Sequence, residues 1–324
     1  MSFLSDNFIA DFLFMALKWV FSFVGEYWLA IILVTVAIKL VLLPLDIKQR
    51  QSSMKMQLAA GEVENIKKRY ANDPNQAEKK VQEYYKKNGI KPTAGCLPML
   101  ISMVLLFAFY GALRSVVSEQ TISLALRSAV EGAGSVKVPS FLWVHNVLQP
   151  DSGMAGIFPT PAELQSFIKV NASSISPQML MMMKNEGLLL FKDGIMTVNE
   201  GMYTALTTDI ITANGFFTTD AAGAIVTLNN GWFGLPIIAG GTLFLQQWLT
   251  NKTGGNAMGS GQPGGKLLLY FFPIFSAYIC ATSNACFAIY WTVSNIFAMG
   301  MHLIYTWVVN SKKKKEPATI NSIR

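Results

Sequence analysis

Charge is scarce in this chain, and histidine and cysteine are scarcer still: charged residues are 14% of 324, with two His and three Cys. An average soluble domain carries about 25% charged residues. The shortage argues against an ordinary soluble domain. The two histidines, His145 and His302, are isolated in the sequence, and no Ser/His/Asp, HExxH or phosphate-loop pattern is present. No catalytic constellation, metal site or cofactor site is therefore expected. Cys96, Cys280 and Cys286 have no metal-ligand spacing and do not suggest a disulfide network, although Cys280 and Cys286 would pair if the fold brought them close.

Apolar residues fill the gap, at 52% of the chain with a mean hydropathy of +0.36. The stretch from Trp28 to Leu45 is the most telling. Its eighteen residues would rise about 27 Å as a helix, close to the thickness of a bilayer's hydrocarbon core. Lys39 is its sole charge. An ionised amine at the centre of a spanning helix costs about 2.5–3.5 kcal/mol on insertion scales, so it needs water, an anion or a partner. Two readings stay open from position alone: Lys39 snorkels to the near interface, or it faces a wet cavity inside a helix bundle.

Residues 1–27 precede this span. They show no basic n-region and no small-residue cleavage site, so a cleaved signal peptide is not expected. Phe12, Met15, Trp19, Val20 and Phe23 share one helical stripe, which predicts an amphipathic helix lying at the membrane surface; a short first span is the alternative.

Beyond Leu45 the chemistry changes. Residues 46–95 hold eleven basic residues against six acidic ones. Asp73-Pro74-Asn75-Gln76 is a helix start and Asn88-Gly89 a helix end, so the segment reads as a helical hairpin in water. Its basic excess puts it in the cytoplasm. Interleaved acids and the lack of a reader motif make it a poor DNA-binding patch.

A second span is expected over 97–117. Residues 118–231 then carry nine acids against five bases, which places them on the opposite side as an extracytoplasmic insertion of short helices and strands. The Met179–Met183 run reads as core packing, and the Asn171-Ala-Ser173 sequon has no evident use. Further spans are expected over 232–249, 267–282 and 286–309, separated by a cytoplasmic Gly-rich loop at 250–266 and by a tight turn, with a basic cytoplasmic tail at 310–324. Five spans put the N-terminus outside and the C-terminus in the cytoplasm.

The expected spans carry polar residues: Thr35, Lys39, Ser102, Thr242, Gln246, Gln247, Ser276, Tyr278, Tyr290, Thr292, Ser294 and Asn295. Any one of them is explained by helix–helix hydrogen bonding. Together with a cation they favour a shared polar cavity.

The order of features then resembles a known family. An amphipathic helix is followed by a span with a cation before Leu43-Pro44-Leu45, then by a basic hairpin. Gly95-Cys-Leu-Pro-Met-Leu-Ile101 leads into span two, Leu235-Pro-Ile-Ile238 lies in span three, and Phe272-Pro-Ile-Phe275 in span four. Span five carries Ile289-Tyr-Trp-Thr-Val-Ser-Asn295. Over residues 12–115 and 232–315 this resembles the YidC family of membrane protein insertases. The resemblance implies an all-α integral membrane protein with five transmembrane helices around a hydrophilic groove, a cytoplasmic helical hairpin and a mixed extracytoplasmic insertion.

It also implies a non-enzymatic insertase and chaperone in a bacterial cytoplasmic membrane. Nascent hydrophobic segments would enter a groove lined by Lys39, Thr35, Ser102, Gln246, Tyr290, Ser294 and Asn295 and leave sideways into lipid. Expected partners are nascent membrane proteins, membrane lipids and the ribosome, with the Sec translocon left open. The sequence departs from the family in two ways: Lys39 stands where the family's groove arginine is usual, and 118–231 is longer than the usual loop. The large N-terminal periplasmic domain typical of Gram-negative members is not expected. A small secondary transporter or channel using Lys39 as an ion or substrate site is the rival reading; the sequence lacks the internal repeat such proteins commonly show.

Overall fold

The computed structural model describes residues 8–90, 97–170, 175–192, 195–252 and 265–315. Cys96, the Asn171 sequon, most of the Gly-rich loop, Met1–Asn7 and the tail beyond Lys315 lie outside them. The chain is mostly helical and divides into two compact units: 1–34 with 105–239 and 276–291, and 35–104 with 240–275 and 292–324. Every division falls inside a helix.

In the first unit, α1 (Phe8–Val24) buries Ala10, Leu13 and Leu17 and leaves Phe12, Met15, Trp19 and Phe23 exposed. The exposed stripe is the one its sequence spacing marks out. Lys18 Nζ bonds Glu119 Oε1 at 2.7 Å. α2 (Tyr27–Leu58) begins in this unit after the turn at Gly25, whose φ of 71° suits glycine.

Two further helices, α3 (Ala60–Arg69) and α4 (Pro74–Lys87), belong to the second unit. They pair as a hairpin. Asp73 Oδ1 accepts from the Gln76 amide at 3.0 Å and Pro74 occupies the first turn, as the sequence predicts.

α5 (Leu97–Glu131) is a single helix of 35 residues, about 52 Å long. It does not stop at Val117. Ile122, Ala125 and Leu126 repeat at helical spacing and are buried in the core of the segment that follows. That core also takes in Leu164 and Ile168 of α6 (Pro161–Val170), Met183 of α7 (Pro177–Asn185) and Tyr203 and Leu206 of α8 (Glu200–Ala213). Met183 and Met179 pack here while Met181 and Met182 point outward, so the methionine run is half core and half surface. The Tyr203 hydroxyl donates to the Pro159 carbonyl at 3.1 Å, and burial pushes its pKa up.

Two antiparallel hairpins complete the segment. β1 (Leu189–Lys192) pairs with β2 (Ile195–Val198) in the register Leu189↔Val198, and β3 (Phe217–Thr219) pairs with β4 (Ile225–Thr227) in the register Phe217↔Thr227.

Three more helices follow: α9 (Gly234–Lys252), α10 (Gly265–Thr282) and α11 (Ala285–Lys315). Gly234 supplies no capping side chain, and the start of α9 is capped from 84 residues away. Asp151, fully buried, accepts from the amides of Trp232 (2.9 Å), Phe233 (3.2 Å) and Leu235 (2.6 Å) and from the Trp143 indole (3.0 Å). The start of α11 is tied to the same loop: the Ala285 amide donates to the Gln149 carbonyl (2.9 Å) and the Cys286 amide to the Val147 carbonyl (3.0 Å). Asn284 Oδ1 adds a local cap on the Phe287 amide at 3.0 Å. Cys280 and Cys286 are both free and buried.

By length and composition, two helices among the described residues can cross a membrane: Tyr27–Ser52 and Ala285–Val308. Leu269–Thr282 is a shorter apolar helix. Val41, Ile274 and Trp307 are exposed on these helices, which suits a lipid surround better than water.

Candidate polar site in the apolar helices

The second unit concentrates polar chemistry on apolar helices. Pro44 lies inside α2, yet that helix continues to Leu58. One rod therefore carries both Lys39 and the start of the basic segment. Asp46 and Arg50 follow Lys39 by seven and eleven residues, which places all three on one helical face. The Asp46 carboxylate lies close enough to interact electrostatically with both cations.

Arg50 reaches across to α11. Its Nη2 donates to the Ala298 carbonyl at 3.0 Å and its Nη1 lies 3.1 Å from Nδ1 of buried His302. A guanidinium has no acceptor, so Nδ1 must accept and the ring proton sits on Nε2. His302 is thus not isolated, as it looks in sequence. Asp46, Arg50 and Tyr305 line a cleft of about 330 Å³ with Leu43, Ile47, Met301, Ile304 and others.

The residues singled out from sequence are distributed as follows. Lys39 is half-buried and Thr35 is buried on α2. Gln246 is half-buried on α9, one turn after Thr242. Buried Asn295 donates through Nδ2 to Thr242 Oγ1 at 3.3 Å and so joins α11 to α9. The hydroxyls of Ser294 and its neighbour Thr292 are buried with no hydrogen-bond partner among the described residues. Such orphans cost about 1–3 kcal/mol each unless water or a ligand serves them. Ser102 lies on α5 with its side chain outside the described set. Tyr290 belongs to the first unit, where its buried ring stacks on Phe109 with centroids 4.2 Å apart.

Sequence reasoning missed Asp46, Arg50 and His302 as a group. The spacing of the first two from Lys39 was available as a signal; the contact with His302 was not. No group of three or more metal-ligating side chains occurs among the described residues.

Comparison with known proteins gives this constellation a context. The family model described as "60Kd inner membrane protein" matches residues 19–195 and 194–315, which is most of the chain. The chain belongs to that family. Its relatives include proteins named Membrane protein insertase YidC. That of Fusobacterium nucleatum is 40% identical over 109 residues, covering 34% of this chain and 53% of the relative. The Clostridium perfringens protein is 34% identical over 132 residues, covering 41% and 48%. The Wolinella succinogenes protein is 23% identical over 312 residues, covering 96% of this chain and 39% of the relative. The chain therefore spans about half or less of the length of these relatives. The likeness to the YidC family drawn from the sequence is borne out.

Proposed function

We propose that the chain is a membrane protein insertase. Five helical spans, with cores at 28–45, 97–117, 232–249, 267–282 and 286–309, enclose a hydrophilic groove open to the cytoplasm and to lipid. The observation that carries this reading is a half-buried lysine within the more apolar of the two candidate spans, backed by Asp46 and Arg50 on the same face. Family membership supports it, as do the orphaned hydroxyls of Thr292 and Ser294, which suit a wetted wall. The clients are nascent membrane proteins, and the chain sits in a bacterial inner membrane with its N-terminus outside and its C-terminus inside. The basic α3–α4 hairpin faces the cytoplasm, where it meets the ribosome or the emerging chain. α1 lies at the membrane surface on its exposed Phe12, Met15, Trp19 and Phe23 stripe.

The mechanism is physical. A nascent span's polar flank must cross hydrocarbon, where each unsatisfied backbone group or charge costs several kcal/mol. A hydrophilic groove shortens the dry path, and the Lys39 ammonium attracts an acidic flank. The apolar segment then partitions sideways into lipid, which drives the step without a nucleotide or a catalytic residue.

The test pairs clients that differ only in the charge of the translocated flank. Lys39→Arg is expected to retain most insertion of both. Lys39→Ala is expected to fail with the acidic flank more than with the neutral one, and Lys39→Glu more severely still. Equal insertion of both clients by Lys39→Ala would show a lysine that only snorkels.

A further inference from the structure

We propose that the loop 141–154, together with Trp232, inserts into the outer leaflet of the bilayer as an apolar foot. The inference rests on the reading that α2 and α11 span the membrane.

This loop meets the beginnings of both candidate spans. The Phe141 ring contacts Trp28, the second residue of α2, with centroids 5.3 Å apart. The carbonyls of Val147 and Gln149 receive the first two amides of α11. Both helices start at the loop, so if they span the bilayer the loop lies at one membrane face. The basic 46–95 segment begins at the opposite end of α2, so positive-inside makes the loop's face the outer one.

The loop then presents apolar side chains outward. Phe141 and Val144 exchange backbone hydrogen bonds of 3.0 and 2.9 Å, which leaves Leu142 and Trp143 at the tip of a tight turn. Leu142 has φ of 52°, a conformation that favours glycine, and the residue is 73% exposed. A leucine held strained and exposed in water is doubly unfavourable. Met154 is 86% exposed and Trp232 59% exposed. They adjoin the same turn: Trp232 lies against Trp143 with centroids 4.9 Å apart, and the Asn230 amide donates to the carbonyl of Ala155, next to Met154.

Charge is withheld from the same region. From Val138 to Ala162 the single formal charge is Asp151, fully buried under four hydrogen bonds, and none occurs from Ala221 to Asn251. Elsewhere in the segment charged residues are frequent, as at Glu163, Lys169 and Lys184. A water-facing loop has no reason to exclude charge; a loop in the acyl–headgroup boundary does.

Spin labels at single cysteines test this in the full chain, reconstituted in nanodiscs of phosphatidylethanolamine and phosphatidylglycerol. The background is Cys96→Ala, with buried Cys280 and Cys286 left in place. Labels at Leu142→Cys and Met154→Cys are expected to collide with oxygen several-fold more, relative to a water-soluble nickel complex, than a label at exposed Thr197→Cys. Met154→Cys replaces an exposed side chain and does not depend on the strained turn. A water-like ratio at both positions overturns the proposal. So does shielding from both reagents, which would mean that protein covers the foot. A label at Val41→Cys separates the two readings. If Val41 is lipid-like and Leu142 and Met154 are aqueous, the foot alone is wrong; an aqueous Val41 removes the membrane reading and the foot with it.

Discussion

Arg50 and His302 are 252 residues apart in the chain and 3.1 Å apart in space, with Arg50 also holding the Ala298 carbonyl of the same helix. This fork fastens the far end of α2 to α11. Arg50→Met leaves Nδ1 of buried His302 without its donor and is expected to destabilise the protein by about 1–3 kcal/mol. Arg50→Lys, a point charge without the planar fork, is expected to fall between Met and wild type. Thermal denaturation in detergent reads both.

Asp151→Ala strips the acceptor from three amides and an indole at once, all at the start of α9. The expected loss is about 2–3 kcal/mol, larger than that of an ordinary helix cap. Asp151→Asn keeps one carbonyl acceptor and should lose less. Proteolysis of the 139–160 loop and the melting temperature check the order.

Two glycines in α9 should respond oppositely to alanine. A Cβ on Gly234 would run into the Trp143 indole, so Gly234→Ala must displace the ring that bonds Asp151. Gly241 has nothing within 4 Å of an added Cβ, and Gly241→Ala should stabilise by about 0.4–1 kcal/mol through reduced unfolded-state entropy. Paired melting curves suffice; destabilisation by Gly241→Ala would count against the backbone described.

His145 lies against the Phe216 ring, with centroids 4.7 Å apart, and burial lowers its pKa from the ordinary 6.5. The unfolded chain then binds the proton more readily than the folded one. Its contribution to stability is complete above the ordinary histidine range and is lost as pH falls from about 6.5 toward the lower folded value. His145→Gln should flatten that part of the stability–pH curve. An unchanged slope between pH 7 and 5 would show that other groups carry it.

Much of this was legible in the sequence wherever local rules decide. The Asp73 cap, the α3–α4 turn and the exposed stripe of α1 follow from spacing alone. Lys39 was visible because charge is rare around it, and Asp46 and Arg50 were readable at seven and eleven residues beyond. The continuation of α5 to Glu131 was legible too, since Ser118–Val130 has no Gly or Pro and keeps Ile122, Ala125 and Leu126 at helical spacing. An apolar run marks where a span would lie, and the helix that carries it continues past that run. Asp151 and His302 were not legible. Their roles depend on partners 84 and 252 residues distant, which no local pattern encodes.

The bonds from Ala285 and Cys286 to Gln149 and Val147 also impose an order in time. The loop is made first and waits for its last two donors until another 136 or so residues have been added, roughly 7–27 s at bacterial elongation rates. During that interval Gln149 and Val147 offer carbonyls still waiting for their α11 donors. The 147–149 loop stays unlatched until α11 arrives, so a chain truncated before Ala285 would leave the ribosome with its lock built and its bolt missing.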